Sequence, residues 1–229
     1  MGNTIIQRER SLILDSDVDF GSHERIARDT SNLDCVGGYR VGPKLGLGYG
    51  LPKLVELTRK YSNKPIVYEQ SGIDTELGEE FIRTLKGAGV NAVILFPQAD
   101  LEAEKAWIEA ALDEDLGVIV GGLIPHHKCL QSEGGYLGDG AIMKTYFNAA
   151  DSKVKDFLVP ANNPGVIKEL RGNLESRGIE PVFYSRGFVA QDGSITDSAK
   201  AAGDRWHAIV KIYGTCDMRK VALEHASKL

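Results

Sequence analysis

Short runs of aliphatic and β-branched residues recur along the whole chain, and each is followed by a stretch whose apolar positions repeat with a helical period. The runs cover residues 12–15, 39–42, 65–69, 92–96, 117–121, 156–159, 181–184 and 208–211, most of them bounded by Gly, Pro or Asp. They are short and nearly uniformly apolar, the pattern of strands buried on both faces in a parallel sheet. Helices are predicted between them, at 22–30, 51–61, 75–88, 100–114, 139–149, 163–176, 195–202 and 217–228. In 100–114, Leu101, Trp107, Ile108, Ala111 and Leu112 fall on one stripe; in 75–88, Leu77, Phe81, Ile82 and Leu85 do so, with Glu79, Glu80, Arg83 and Lys86 opposite. Eight strand–helix repeats in 229 residues match the size at which a (β/α)₈ barrel closes, whereas a doubly wound open sheet usually has five or six strands. The predicted fold is therefore α/β, a single-domain (β/α)₈ TIM barrel over residues 1–229 with no linker or low-complexity tract.

Charge and composition narrow the partners. Lys+Arg total 27 against 32 Asp+Glu, a net charge of −5 with no basic block, so nothing favours nucleic acid or an anionic membrane. No stretch approaches about 18 apolar residues, the N-terminus has no signal-like apolar segment, and Ile6 stands where a myristoylation signal requires Ser or Thr. Cys35, Cys129 and Cys216 are far apart and in no CxxC spacing; they read as buried thiols of a reducing compartment, and the protein as cytoplasmic. A small ligand is expected. Trp107 and Trp206 read as packing residues.

Barrels carry their sites at the C-terminal ends of the strands. There, Tyr68-Glu69-Gln70-Ser71-Gly72-Ile73-Asp74 is the densest constellation. Strand alternation points Glu69 and Ser71 into the barrel mouth, with Asp74 at the start of the next helix. Asp74 or Thr75 could equally cap that helix. A carboxylate facing a barrel interior is costly unless paired, so Glu69 requires Arg40, Lys44 or a metal ion beside it. Asp15 ends strand one, and Arg40 and Lys44 flank the exit of strand two. Two long connections, 123–138 and 185–194, follow strands five and seven onto the same face. His126 and His127 are adjacent, so a shared metal ion would need a bend between them, and the alternating glycines of 46–50 read as a flexible loop.

These residues resemble the orotidine 5′-phosphate decarboxylase family. Glu69-Gln70-Ser71-Gly72-Ile73-Asp74 resembles its Asp-x-Lys-x-x-Asp motif, Arg40-Val41-Gly42 its strand-two Lys-Ile-Gly, and Asp15 its strand-one Asp. Residues 186–193 resemble its Pro-Gly-x-x-Ala-Gln-Gly-Gly loop, and Ile212-Tyr213-Gly214 the stretch after its phosphate-binding Gly-Arg. The resemblance runs from about residue 12 to 222. It implies that Asp15 hydrogen-bonds a ribose hydroxyl, that Asp74 reaches across a homodimer interface, and that Gln191 touches phosphate and base beneath a closing loop. The connection after strand five, with His126, His127 and Ser132, would grip the pyrimidine.

The departures decide the expected chemistry. Ser71 replaces the central Lys, Glu69 the first Asp, and Arg40 the strand-two Lys. Decarboxylation at pyrimidine C6 leaves an in-plane carbanion that needs a nearby positive charge and then a proton. A serine hydroxyl supplies neither at neutral pH, and a guanidinium with a pKa above about 12 is a poor proton donor. Lys211, with backbone N–H groups around Gly187, Gly193 and Gly214, is the candidate phosphate site. The expectation is a homodimeric barrel, without a cofactor, that binds a nucleotide or sugar phosphate and is weak or altered in decarboxylation. The alternatives are a decarboxylase using another cation, a sugar-phosphate lyase or aldolase with Mg²⁺ on Glu69 and Asp74, and a non-catalytic binding homodimer.

Overall fold

The computed structural model describes the chain except residues 1–3, 71, 73–75, 99, 127, 189–190, 213 and 215–216. Eight parallel strands close into a barrel in sequence order: β1 (Arg10–Asp15), β2 (Val36–Val41), β3 (Ile66–Gln70), β4 (Ala92–Leu95), β5 (Gly117–Gly121), β6 (Asp156–Pro160), β7 (Val182–Arg186) and β8 (Trp206–Lys211). Helices α1 (Phe20–Thr30), α2 (Pro43–Tyr49), α3 (Leu51–Arg59), α4 (Gly78–Gly87), α5 (Leu101–Asp113), α6 (Ala141–Asp151), α7 (Pro164–Ser176), α8 (Ile195–Ala202) and α9 (Met218–Ala226) surround it. Among the described residues no helix is long and apolar enough to cross a membrane.

Strand alternation sorts the core into two clusters. Ile13, Val67, Ile94, Ile119, Leu158, Tyr184 and Ile209 point inward and fill the barrel with Ile6 from the N-terminal segment. Leu12, Leu14, Tyr39, Val93, Phe157 and Trp206 point outward against the helices. Trp107 and Trp206 are both buried, and the Trp206 indole donates to Ser185 Oγ at 2.8 Å. Helix starts are set by side-chain caps: Asp19, Asp100, Asn163, Ser194 and Asp217 each accept a first-turn backbone N–H.

Several boundaries move. The strand β7 continues to Arg186, two residues beyond the apolar run, because its ladder with β6 extends to Pro160. Residues 43–49 form α2 instead of a flexible loop: Pro43 supplies a pre-set first helical position, and Gly50, at φ 81°, turns the chain into α3. Helix α4 starts at Gly78, which leaves Leu77 58% exposed and outside the apolar stripe; Leu101 and Leu112, near the ends of α5, are each 37% exposed. Cys35 and Cys129 are half-buried instead of buried, and Cys216 lies outside the described residues.

Candidate functional site

Four strand ends build the barrel mouth. Asp15 on β1 and Arg40 on β2 stand side by side in register, Glu69 is the penultimate residue of β3, and Arg186 closes β7 on the other side of the barrel. Glu69 is the centre of the cluster: its Oε2 accepts from Arg40 Nε at 3.0 Å and its Oε1 from Arg186 Nη1. Arg40 Nη1 donates to Asp15 Oδ1 at 2.9 Å and lies 3.8 Å from Asp17 Oδ2. Asp17 Oδ1 accepts the Leu45 amide at 3.0 Å, which ties the first turn of α2 to the cluster.

Supporting contacts hold these groups in place. The Ser16 amide donates to the Arg40 carbonyl at 2.9 Å, and the buried His23 ring bridges Ser16 Oγ at 3.0 Å and Thr58 Oγ1 at 2.8 Å. The Arg186 guanidinium lies over the Phe96 ring, 5.1 Å from its centroid. Burial alone pushes the Glu69 carboxyl up, but the charges of Arg40 and Arg186 and their hydrogen bonds more than reverse it, so the group titrates below the ordinary carboxylate range. Arg40 is likewise buried, which disfavours its charge, yet Glu69 and Asp15 raise it above the usual guanidinium value. Glu69 and Arg40 therefore stay ionised near neutrality.

Such a cluster binds and orients; it does not shuttle protons, because neither guanidinium releases one at neutral pH. Nor does the donor set fit a Mg²⁺ ion on Glu69. Both of its oxygens are engaged by guanidiniums, and an incoming cation would have to displace them.

Three expected residues, Asp15, Arg40 and Glu69, come together, with Arg40 as one counter-ion of Glu69. Ser71, Asp74 and His127 lie outside the described residues. Lys44 is exposed on the first turn of α2, and the counter-ions of Glu69 are the two arginines instead. Gln191 and Gly193 belong to a turn closed by the Gly193 amide on the Gly187 carbonyl at 2.9 Å. Gly187 holds φ 97° there, and a Cβ on Gly193 would meet the Gly187 carbonyl oxygen at 2.5 Å, so the turn needs both glycines. Lys211 ends β8 beside Asp15, exposed. In the connection after β5, His126 is exposed and Ser132 Oγ donates to Asp139.

Two residues escaped the sequence reading, Asp17 and Arg186. Arg186 had a usable signal: extending the β7 alternation from Val182 and Tyr184 by one step points it inward.

No protein-family model and no curated protein matches the sequence. Solved structures do. The orotidine 5′-monophosphate decarboxylase of Methanocaldococcus jannaschii, in complex with the inhibitor BMP, superposes with a TM-score of 0.83 at 22% identity, covering 97% of this chain and 99% of that one. The chain has the fold of these decarboxylases. The enzymes of Pyrococcus horikoshii (TM-score 0.74, 18% identity, 95% and 98% covered) and Metallosphaera sedula (0.69, 18%, 97% and 98%) share it. In each case the match extends over 95–97% of this chain, so the likeness is one of the fold as a whole.

Proposed function

We propose that the chain is a divergent member of the orotidine 5′-phosphate decarboxylase superfamily. It binds a phosphorylated ligand, a nucleotide or a sugar phosphate, over the C-terminal face of its barrel, with decarboxylation weakened or changed. The observation that carries this reading is the Arg40–Glu69–Arg186 clamp, in which the counter-ions of the third-strand carboxylate are guanidiniums. With Ser71 at the centre of the third-strand motif, no ammonium stands in the chain's own motif to stabilise and protonate a C6 carbanion. In this reading Asp15 accepts a ligand hydroxyl, and the Gly187–Gly193 turn with Gln191 and Lys211 takes phosphate, supported by the closed turn and by the pairing of Lys211 with Asp15 at the strand ends.

A homodimer fits the same face. Leu47, Tyr49, Leu77, Leu101 and Tyr136 are exposed on segments that follow β2 to β5, apolar side chains that a second copy would cover.

The test uses the purified full chain with uridine 5′-monophosphate and orotidine 5′-monophosphate. Thermal stabilisation by both, with constant ultraviolet absorbance of the orotidine nucleotide or only very slow decay, is the expected result. Turnover at ordinary enzyme rates, roughly 1–10³ s⁻¹, would overturn the altered chemistry. No stabilisation by either nucleotide, nor by a panel of sugar phosphates, would overturn the ligand class.

A further inference from the structure

Arg40 and Arg186 flank the same carboxylate but are not equivalent. Arg40 spends Nε on Glu69 and Nη1 on Asp15, and Asp17 lies beside it. Arg186 spends only Nη1, on Glu69; its Nε and Nη2 donate to no described residue. Those two nitrogens share one edge of the guanidinium and present parallel N–H bonds, the fork that grips both oxygens of a planar carboxylate. The side chain is held before any ligand arrives, by Glu69 at Nη1 and by the Phe96 ring over which its Cζ lies, and it is still 22% exposed where the Glu69 side chain is 4%. A fork held in advance loses little conformational freedom on binding. Asp15 and Asp17 are partners of Arg40, so Glu69 is the acid that Arg186 already neutralises.

We propose that Arg186 is a specificity residue whose free edge receives a carboxylate, so that the barrel selects a ligand carrying both a phosphate and a carboxylate and retains the carboxylate in place. The inference rests on the phosphorylated-ligand reading and names the second group that such a ligand bears.

The experiment measures dissociation constants by calorimetry for two probe pairs that differ at the carboxylate: orotidine against uridine 5′-monophosphate, and 3-phosphoglycerate against glycerol 3-phosphate. In the native chain the carboxylated member of at least one pair should bind roughly 10–100-fold more tightly, the value of a charge-assisted bidentate contact. Arg186→Lys keeps the charge and loses the fork. It should abolish most of that preference, read as the ratio of the two dissociation constants within a pair, a ratio that general loosening of the fold, acting on both members alike, would leave unchanged. Arg186→Gln, checked for folding by circular dichroism, should do the same. Equal affinity within both pairs, or a preference that survives both substitutions, would overturn the assignment of Arg186 while leaving the phosphate site standing. Absence of binding by all four probes would overturn the parent reading and this one together.

Discussion

Replacing Glu69 by Gln removes the carboxylate shared by Arg40 and Arg186. The side chain is 4% exposed and its ion pair with Arg40 measures 3.0 Å, so the interaction is poorly screened. Removing one partner of a buried ion pair costs about 3–5 kcal/mol. Asp15 and Asp17 remain on Arg40, so Arg186 bears most of the loss and the cost lies near the lower end, about 3 kcal/mol. For a chain of this size that corresponds to a Tm decrease of roughly 6–12 °C. The Glu69 carboxyl is depressed below 4.5 in the folded state, so its contribution is complete above that value and is lost as pH falls. The gap between native and variant proteins should therefore be widest at about pH 7 and close below about pH 4.5. Removing the orphaned charge as well, in Glu69→Gln/Arg186→Gln, should cost less than the sum of the single changes by about 1–3 kcal/mol. Urea and thermal unfolding followed by circular dichroism measure all four species. A Glu69→Gln variant that melts with the native protein at neutral pH, or a strictly additive double variant, would refute the shared-counter-ion account.

Other residues give independent tests. Glu104 is buried on α5, its Oε1 without a hydrogen-bond partner among the described residues and its Oε2 3.5 Å from Asn148 Nδ2, and burial pushes its carboxyl up to about 7. An acid raised in this way loses stability as pH rises from about 4.5 to about 7, so Glu104→Gln should be near neutral at pH 4 and stabilising by up to about 2–3 kcal/mol at pH 8; an effect independent of pH would count against it. Burial holds His23 neutral, down to about 4, so the native chain loses stability as pH falls below about 6.5. The His23→Gln variant should show a flatter acid limb in equilibrium urea unfolding at several pH values, and an unchanged limb would contradict the buried bridge. Gly193→Ala forces a Cβ within 2.5 Å of the Gly187 carbonyl oxygen and should lower stability by about 1–3 kcal/mol. It should also weaken phosphate-ester binding in the same titrations that measure the native chain, and unchanged affinity would separate the turn from the ligand.

Much of the barrel was legible in the sequence. Apolar runs of strand length, each followed by a helical stripe, determine eight buried strands, and period-two alternation places Asp15, Arg40 and Glu69 on the inner face. Local rules reach less far at element ends. The α2 segment looked like a loop because its glycines weigh against a helix, whereas Pro43 and the Asp17 contact to the Leu45 amide favour one. The choice of partner across the mouth lay beyond local pattern altogether. Glu69 and Arg186 are 117 residues apart on strands that are not neighbours, and only closure of the sheet brings their ends together. Alternation determines which way a side chain faces; barrel closure decides what it meets, because that depends on the register of every ladder between the two strands. For that reason the sequence alone could require a cation for Glu69, while the tertiary structure decided that it has two, of which Arg186 uses only Nη1 among the described residues.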